Sequence, residues 1–183
     1  MTERQDQAVP DAVMTRIGQV VMLHHAGDRE EARDRFLRLW DEIGEDGDPL
    51  HRCTLAHYMA DTQDDPTDEL AWDLRALTAA GELTDERLAE HEDAPAVRAL
   101  YPSLHLNLAA DYVKLDRSDA ARTHLSRARQ ASTALADDGY GNGIRAAIGR
   151  LESRLDGLEG LDGLNGDGGG APGPSWGPPR QGF

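Results

Sequence analysis

The residues able to do chemistry in this chain are scattered and mostly unaccompanied. His57 and Asp61 stand four apart, on one face if their segment is helical, a spacing that suits a metal or a general base. His24 and His25 are adjacent and would point about 100° apart on a helix. There is no H-E-x-x-H and no series of Cys and His ligands, so no metal is expected. Asp46 and Asp48 begin a calcium-like alternation, but Leu50 takes the next ligand position and Pro49 breaks the register. The C-terminal glycines follow no strand and carry no GK[ST], which excludes a phosphate loop or a dinucleotide fingerprint. Cys53 lies on an apolar face and reads as a buried thiol. No nucleophile, base and acid set is legible, so the chain reads as a non-enzyme without a cofactor.

The elements that would position these residues are helices. Val13, Ile17, Val20, Val21 and Leu23 recur at helical spacing from Pro10 until Gly27 stops the run. Asp28, with Glu31 three residues on, predicts an acidic capping box for a second helix bearing Ala32, Phe36, Leu39, Trp40 and Ile43. A third helix starts near Pro49 and carries Leu50, Cys53, Ala56 and Met59. Asp65-Pro66 signals a fourth, with Leu70, Leu74 and Leu77 on one face and Gly81 at its end. Thr84 caps an expected short acidic helix, Pro95 opens a turn, and Pro102 restarts a helix with Leu104, Leu108, Tyr112 and Leu115. Ser118-Asp119 begins its partner, and a last helix runs to Leu155. No segment alternates like a strand.

The domain reading is therefore a flexible 1–9, a helical domain over 10–156 and a disordered Gly/Pro-rich tail over 157–183. Such a tail buries too little apolar surface to offset its ordering entropy. Trp40, Trp72 and Tyr101 are expected to pack. The chain has 183 residues and a net charge of −15, with 34 acids against 19 bases and Lys114 as its only lysine. That charge repels phosphate backbones, so nucleic acid is not an expected partner. The N-terminus has no signal-peptide core and no stretch is long enough to span a membrane. The expected location is the cytoplasm, where a lone cysteine fits a reducing milieu.

An internal period links two of these helix pairs. Leu108, Ala109, Tyr112, Asp116, Ala121, Leu125 and Ala128 fall in register with Gln19, Val20, Leu23, Gly27, Ala32, Phe36 and Leu39. This pattern resembles the tetratricopeptide repeat, a family of 34-residue helix-turn-helix units. The middle unit is less regular: Leu55, Ala56 and Met59 match, but Ala71 arrives three residues late. The resemblance covers about residues 13–136, is strongest over 102–135, and treats 143–155 as a terminal solvating helix. Phrases such as HRCTLAHYMAD and LADDGYGNGIR are similar to those of uncharacterised actinobacterial members.

The resemblance implies an all-α fold of antiparallel helix pairs stacked as a short solenoid. It also implies a concave groove that binds a peptide or helix of a partner protein. By repeat position the groove would show Ile17, Val21, His24, Cys53, Thr54, His57, Leu106, Asn107 and Lys114, with Asn107 bonded to partner backbone. Two other readings stand beside this adaptor: a self-associating structural protein whose groove is filled by its own tail or another copy, and a metal-dependent enzyme using His57 and Asp61.

Overall fold

Local signals start and stop most of the helices. The structure, a computed structural model, describes residues 11–83 and 94–162, the side chains of 94–98 and 159–162 excepted. Among these residues it is helical throughout, with α1 (Ala12–His25), α2 (Arg29–Ile43), α3 (Pro49–Ala60), α4 (Pro66–Gly81), α5 (Ala94–Lys114), α6 (Ser118–Ser132) and α7 (Gly139–Asp162). Asp11, Asp48 and Asp65 cap α1, α3 and α4 by accepting bonds from backbone N–H groups of the first turn. Each satisfies donors that a helix N-terminus otherwise leaves orphaned. Pro49 and Pro66 follow their caps directly, where a missing N–H costs nothing. None of the described helices is long and apolar enough to cross a membrane.

Four expectations change. Asp28 precedes α2 but makes no side-chain capping bond, so no capping box forms there. Pro95 lies in the first turn of α5 and Pro102 inside the same continuous helix, so Pro102 does not restart a new one. Pro102 forfeits one helical bond, at a cost of about 3 kcal/mol. Burial of Leu100, Leu104, Leu106 and Leu108 on the two sides of it holds the helix together. The inner face of α4 is Leu70, Asp73, Ala76 and Ala80, not a leucine stripe, because Leu74 points outward. Finally, α7 continues to Asp162, past residue 156. The helix expected after Thr84, the segment 1–9 and residues 163–183 lie outside the described residues.

Packing runs mainly between helices adjacent in sequence, with α1 also meeting α3 and α5 also meeting α7. The core is accordingly divided along the stack. One cluster joins α1, α2 and α3 around Ile17, Phe36, Leu55 and Met59. A second, of Cys53, Ala56, Ala76, Ala80, Leu100 and Leu104, joins α3, α4 and α5. The third joins α5, α6 and α7 around Ala121, Leu125, Ile148 and Leu155. Trp40 touches both of the first two clusters and meets Trp72 edge to face at 5.0 Å. Tyr101 packs on the middle cluster and donates its hydroxyl to the Ala80 carbonyl at 2.6 Å. In α3 every residue but His51 and Arg52 is buried, which makes it the central helix.

Candidate functional site: a buried polar seam

Beyond the alanines and leucines of the middle cluster, the interface of α3, α4 and α5 turns polar. On α5, Asn107, Asp111 and Lys114 recur four and three residues apart and so share a face. Asp73 and Glu69, also four apart, answer them from α4, and His57 enters from α3. The imidazole of His57 lies 3.7 Å from the Asp73 carboxylate, and Asn107 Nδ2 is 3.4 Å from His57 Nδ1. Asp73 and Asp111 face each other within hydrogen-bonding reach. At the outer end Lys114 donates to Glu69 at 2.6 Å and lies 3.6 Å from Asp111.

Two carboxyls in one dry site cannot both ionise cheaply. Burial, reinforced by the charges of Asp73 and Glu69, pushes the Asp111 carboxyl up to about 9; Lys114 opposes the shift only in part. The proton retained on Asp111 is then available for the bond to Asp73. Cys53, buried nearby, is pushed up to about 12 by burial and by the Asp73 charge, so it is a closed thiol and not a nucleophile.

A carboxyl pair sharing a proton beside a histidine is a donor set used in acid–base catalysis. Here His57, Asp73, Asn107 and Asp111 are all buried, and Asp73 is 0 % exposed. The seam thus joins three helices through buried polar side chains rather than opening to a substrate. Asp61 lies half-exposed at the C-terminal end of α3, while His57 turns toward Asp73. Among the described residues no group of three or more His, Cys, Asp or Glu is arranged to hold a metal ion.

The residues expected to line a groove divide into three places. Ile17 and Val21 are buried against α2 and α3, and His24 is half-buried at the end of α1 beside His25. Cys53, Thr54 and His57 are buried in α3, and Leu106 is buried against α6. Asn107 turns to His57 and Lys114 to Glu69 and Asp111. Only His57 and Asn107 come together inside the molecule; Lys114 is exposed at the outer end of the seam, and the burial of Ile17, Val21, Cys53, Thr54, His57, Leu106 and Asn107 leaves those positions no open concave face. The reason is that α1, α2, α4 and α5 enclose α3.

Sequence reasoning missed Asp73, Asp111 and Glu69. The signal was an acid inside an apolar stripe, Asp73 between Leu70 and Leu77 and Asp111 between Leu108 and Leu115.

A second histidine site lies at the α5–α6 interface. His105 Nδ1 and His124 Nδ1 are 3.1 Å apart. Burial, then the neighbouring His124 and Arg127, holds His105 down to about 4, and His124 is lowered by burial and Arg127. Both rings are therefore neutral at physiological pH.

On the outer side of α1 and α2, Arg16, Gln19, Val20, Arg35, Arg38, Leu39 and Glu42 line a cleft of about 360 Å³. Arg16 is held by Glu42 through bonds of 2.6 and 3.0 Å, and Arg35 by Glu31 at 2.7 Å. Neither a protein-family model, nor a curated protein, nor a solved structure matches this chain.

Proposed function

We propose that this chain is a protein-binding module of tetratricopeptide-like helix pairs and not an enzyme. The observation carrying this reading is that the reactive side chains of the middle interface are sealed among helices, while arginines and apolar side chains are offered outside. The turn from α1 to α2 and that from α5 to α6 also bond alike at the repeat-matched positions. Gly27 N–H donates to His24 O and Asp28 N–H to Leu23 O, as Asp116 does to Val113 O and Arg117 to Tyr112 O.

The partner surface in this reading is the α1–α2 cleft, since most of the residues expected to line a groove are buried. Val20 and Leu39 form its apolar floor, with Arg16, Arg35, Arg38 and Glu42 on its rim; a partner's carboxylates would compete with Glu42 and Glu31 for two of the three arginines. Met22, 71 % exposed, stands one turn on from Gln19. In a body with a net charge of −15, such a rim favours a peptide or helix carrying carboxylates beside apolar anchors. Cytoplasmic residence belongs to the same reading. The double variant R35A/R38A tests it: partner capture should fall about tenfold or more with melting nearly unchanged. Unchanged capture by the folded variant removes the cleft from the function.

The self-occupied alternative draws on one observation, the enclosure of α3 by the chain's own helices. Light scattering across a concentration series separates the two, because only a copy-filled surface makes the mass depend on concentration.

A further inference from the structure

His105 and His124 take no part in the buried seam or in the α1–α2 cleft, yet their placement is tightly held. Ala109 of α5 and Ala121 of α6, both 0 % exposed, belong to the cluster that packs these helices together and sets the distance between the rings. Tyr112 stacks on His124 with centroids 5.4 Å apart and planes 25° apart, which fixes the ring's orientation. The ring centroids of the two histidines are 5.3 Å apart, and both rings are half-buried, so one edge of the pair remains open to solvent.

Two nitrogens facing each other at 3.1 Å share either a proton or an ion. Imidazole nitrogens bound at 2.0–2.1 Å to a common ion sit about 2.9 Å apart at a right angle and about 3.3 Å apart at the tetrahedral angle. The observed separation falls between these values, so an ion set to one side of the line between the two nitrogens reaches both once the rings turn their lone pairs toward it. We propose that His105 and His124 form a two-histidine chelate for a borderline divalent transition ion such as Zn²⁺ or Ni²⁺, with water completing the coordination. No third His, Cys, Asp or Glu joins them among the described residues. The site is therefore open and exchangeable, unlike the closed four-ligand sites that hold structural zinc. Arg127 is the opposing charge, since its field reaches both rings.

Calorimetric titration of the chelator-stripped full chain with zinc chloride and nickel chloride tests this assignment. One ion per chain is expected, with affinity lowered about tenfold or more in H105Q and in H124Q. R127Q should bind more tightly than wild type, an effect that a merely structural histidine pair would not produce. H25Q, in the other histidine pair, should bind like wild type. Melting curves without metal establish that each variant is folded, and H124Q serves if H105Q is not. Absence of saturable binding in the wild type overturns the proposal. So does affinity that survives the double variant H105Q/H124Q, or affinity indifferent to Arg127.

Discussion

Gly27 and Asp116 hold the same left-handed turn at the two repeat-matched helix junctions, with φ of +101° and +58°. Glycine reaches this region without penalty, whereas a residue with a Cβ is strained by about 1–2 kcal/mol, less when the residue is Asp or Asn. Asp116→Gly should therefore raise stability by about 0.5–1 kcal/mol, and Gly27→Ala should lower it by about 1 kcal/mol. Open space around Gly27 means that any loss there comes from backbone strain alone. Urea midpoints of the two variants check both signs, and a gain on Gly27→Ala would show that the left-handed turn is not what the junction requires.

Asp111 makes stability fall with rising pH. Its carboxyl is raised in the folded state to about 9 from an ordinary 3.8, so between those values the folded chain holds a proton that the unfolded chain releases. The contribution is fully present below about 4 and is lost as pH rises toward 9. The groups facing Asp111 are Asp73 and Glu69 of α4 and Lys114 of its own helix, while His57 and Cys53 of α3 face Asp73. Asp111→Asn keeps a hydrogen-bond donor without an ionisable proton. Its urea midpoint should vary less than wild type between pH 5 and 9 and exceed it at pH 9. Parallel curves for the two proteins would place the retained proton elsewhere.

Ala121 is fully buried in the cluster that packs α6 against α5. Ala121→Leu forces three extra carbons into that contact and should cost about 1–3 kcal/mol. For a domain of this size the melting temperature should drop by about 2–4 °C per kcal/mol. Melting like wild type would mean that the helices do not meet at this residue.

Cys53 should be silent toward thiol reagents in the native protein. It is buried, and its thiol is pushed up to about 12, so almost no thiolate exists at neutral pH. Colour development with an aromatic disulfide should appear only when urea unfolds the chain. Prompt reaction of the folded protein would indicate an opening of the α3–α4–α5 interface.

The helix punctuation was legible because it is local. Asp48-Pro49 and Asp65-Pro66 act through bonds within one turn, so their spacing alone announces where α3 and α4 begin. The small and large positions Ala32, Phe36, Ala121 and Leu125 were legible for a related reason: a helix of period 3.6 buries whichever stripe is apolar, and these four are buried. Asp28 misled because a capping residue type does not ensure a capping side-chain bond, and Pro102 because long-range burial overrides a local breaker.

What faces a polar residue on an apolar stripe depends on distant segments, and here only the tertiary structure decided it. Asn107 alone is compatible with a groove, a partner or an internal bond, and the approach of α3 places His57 opposite it. Asp111 is pushed to keep its proton by burial and by Asp73 and Glu69, which stand beside it only because α4 packs against α5. The same holds for His105 and His124, which the sequence separates and the α5–α6 contact brings within 3.1 Å. Periodicity determines which side of a helix leaves water; the meeting of sides from separate helices determines the chemistry found there.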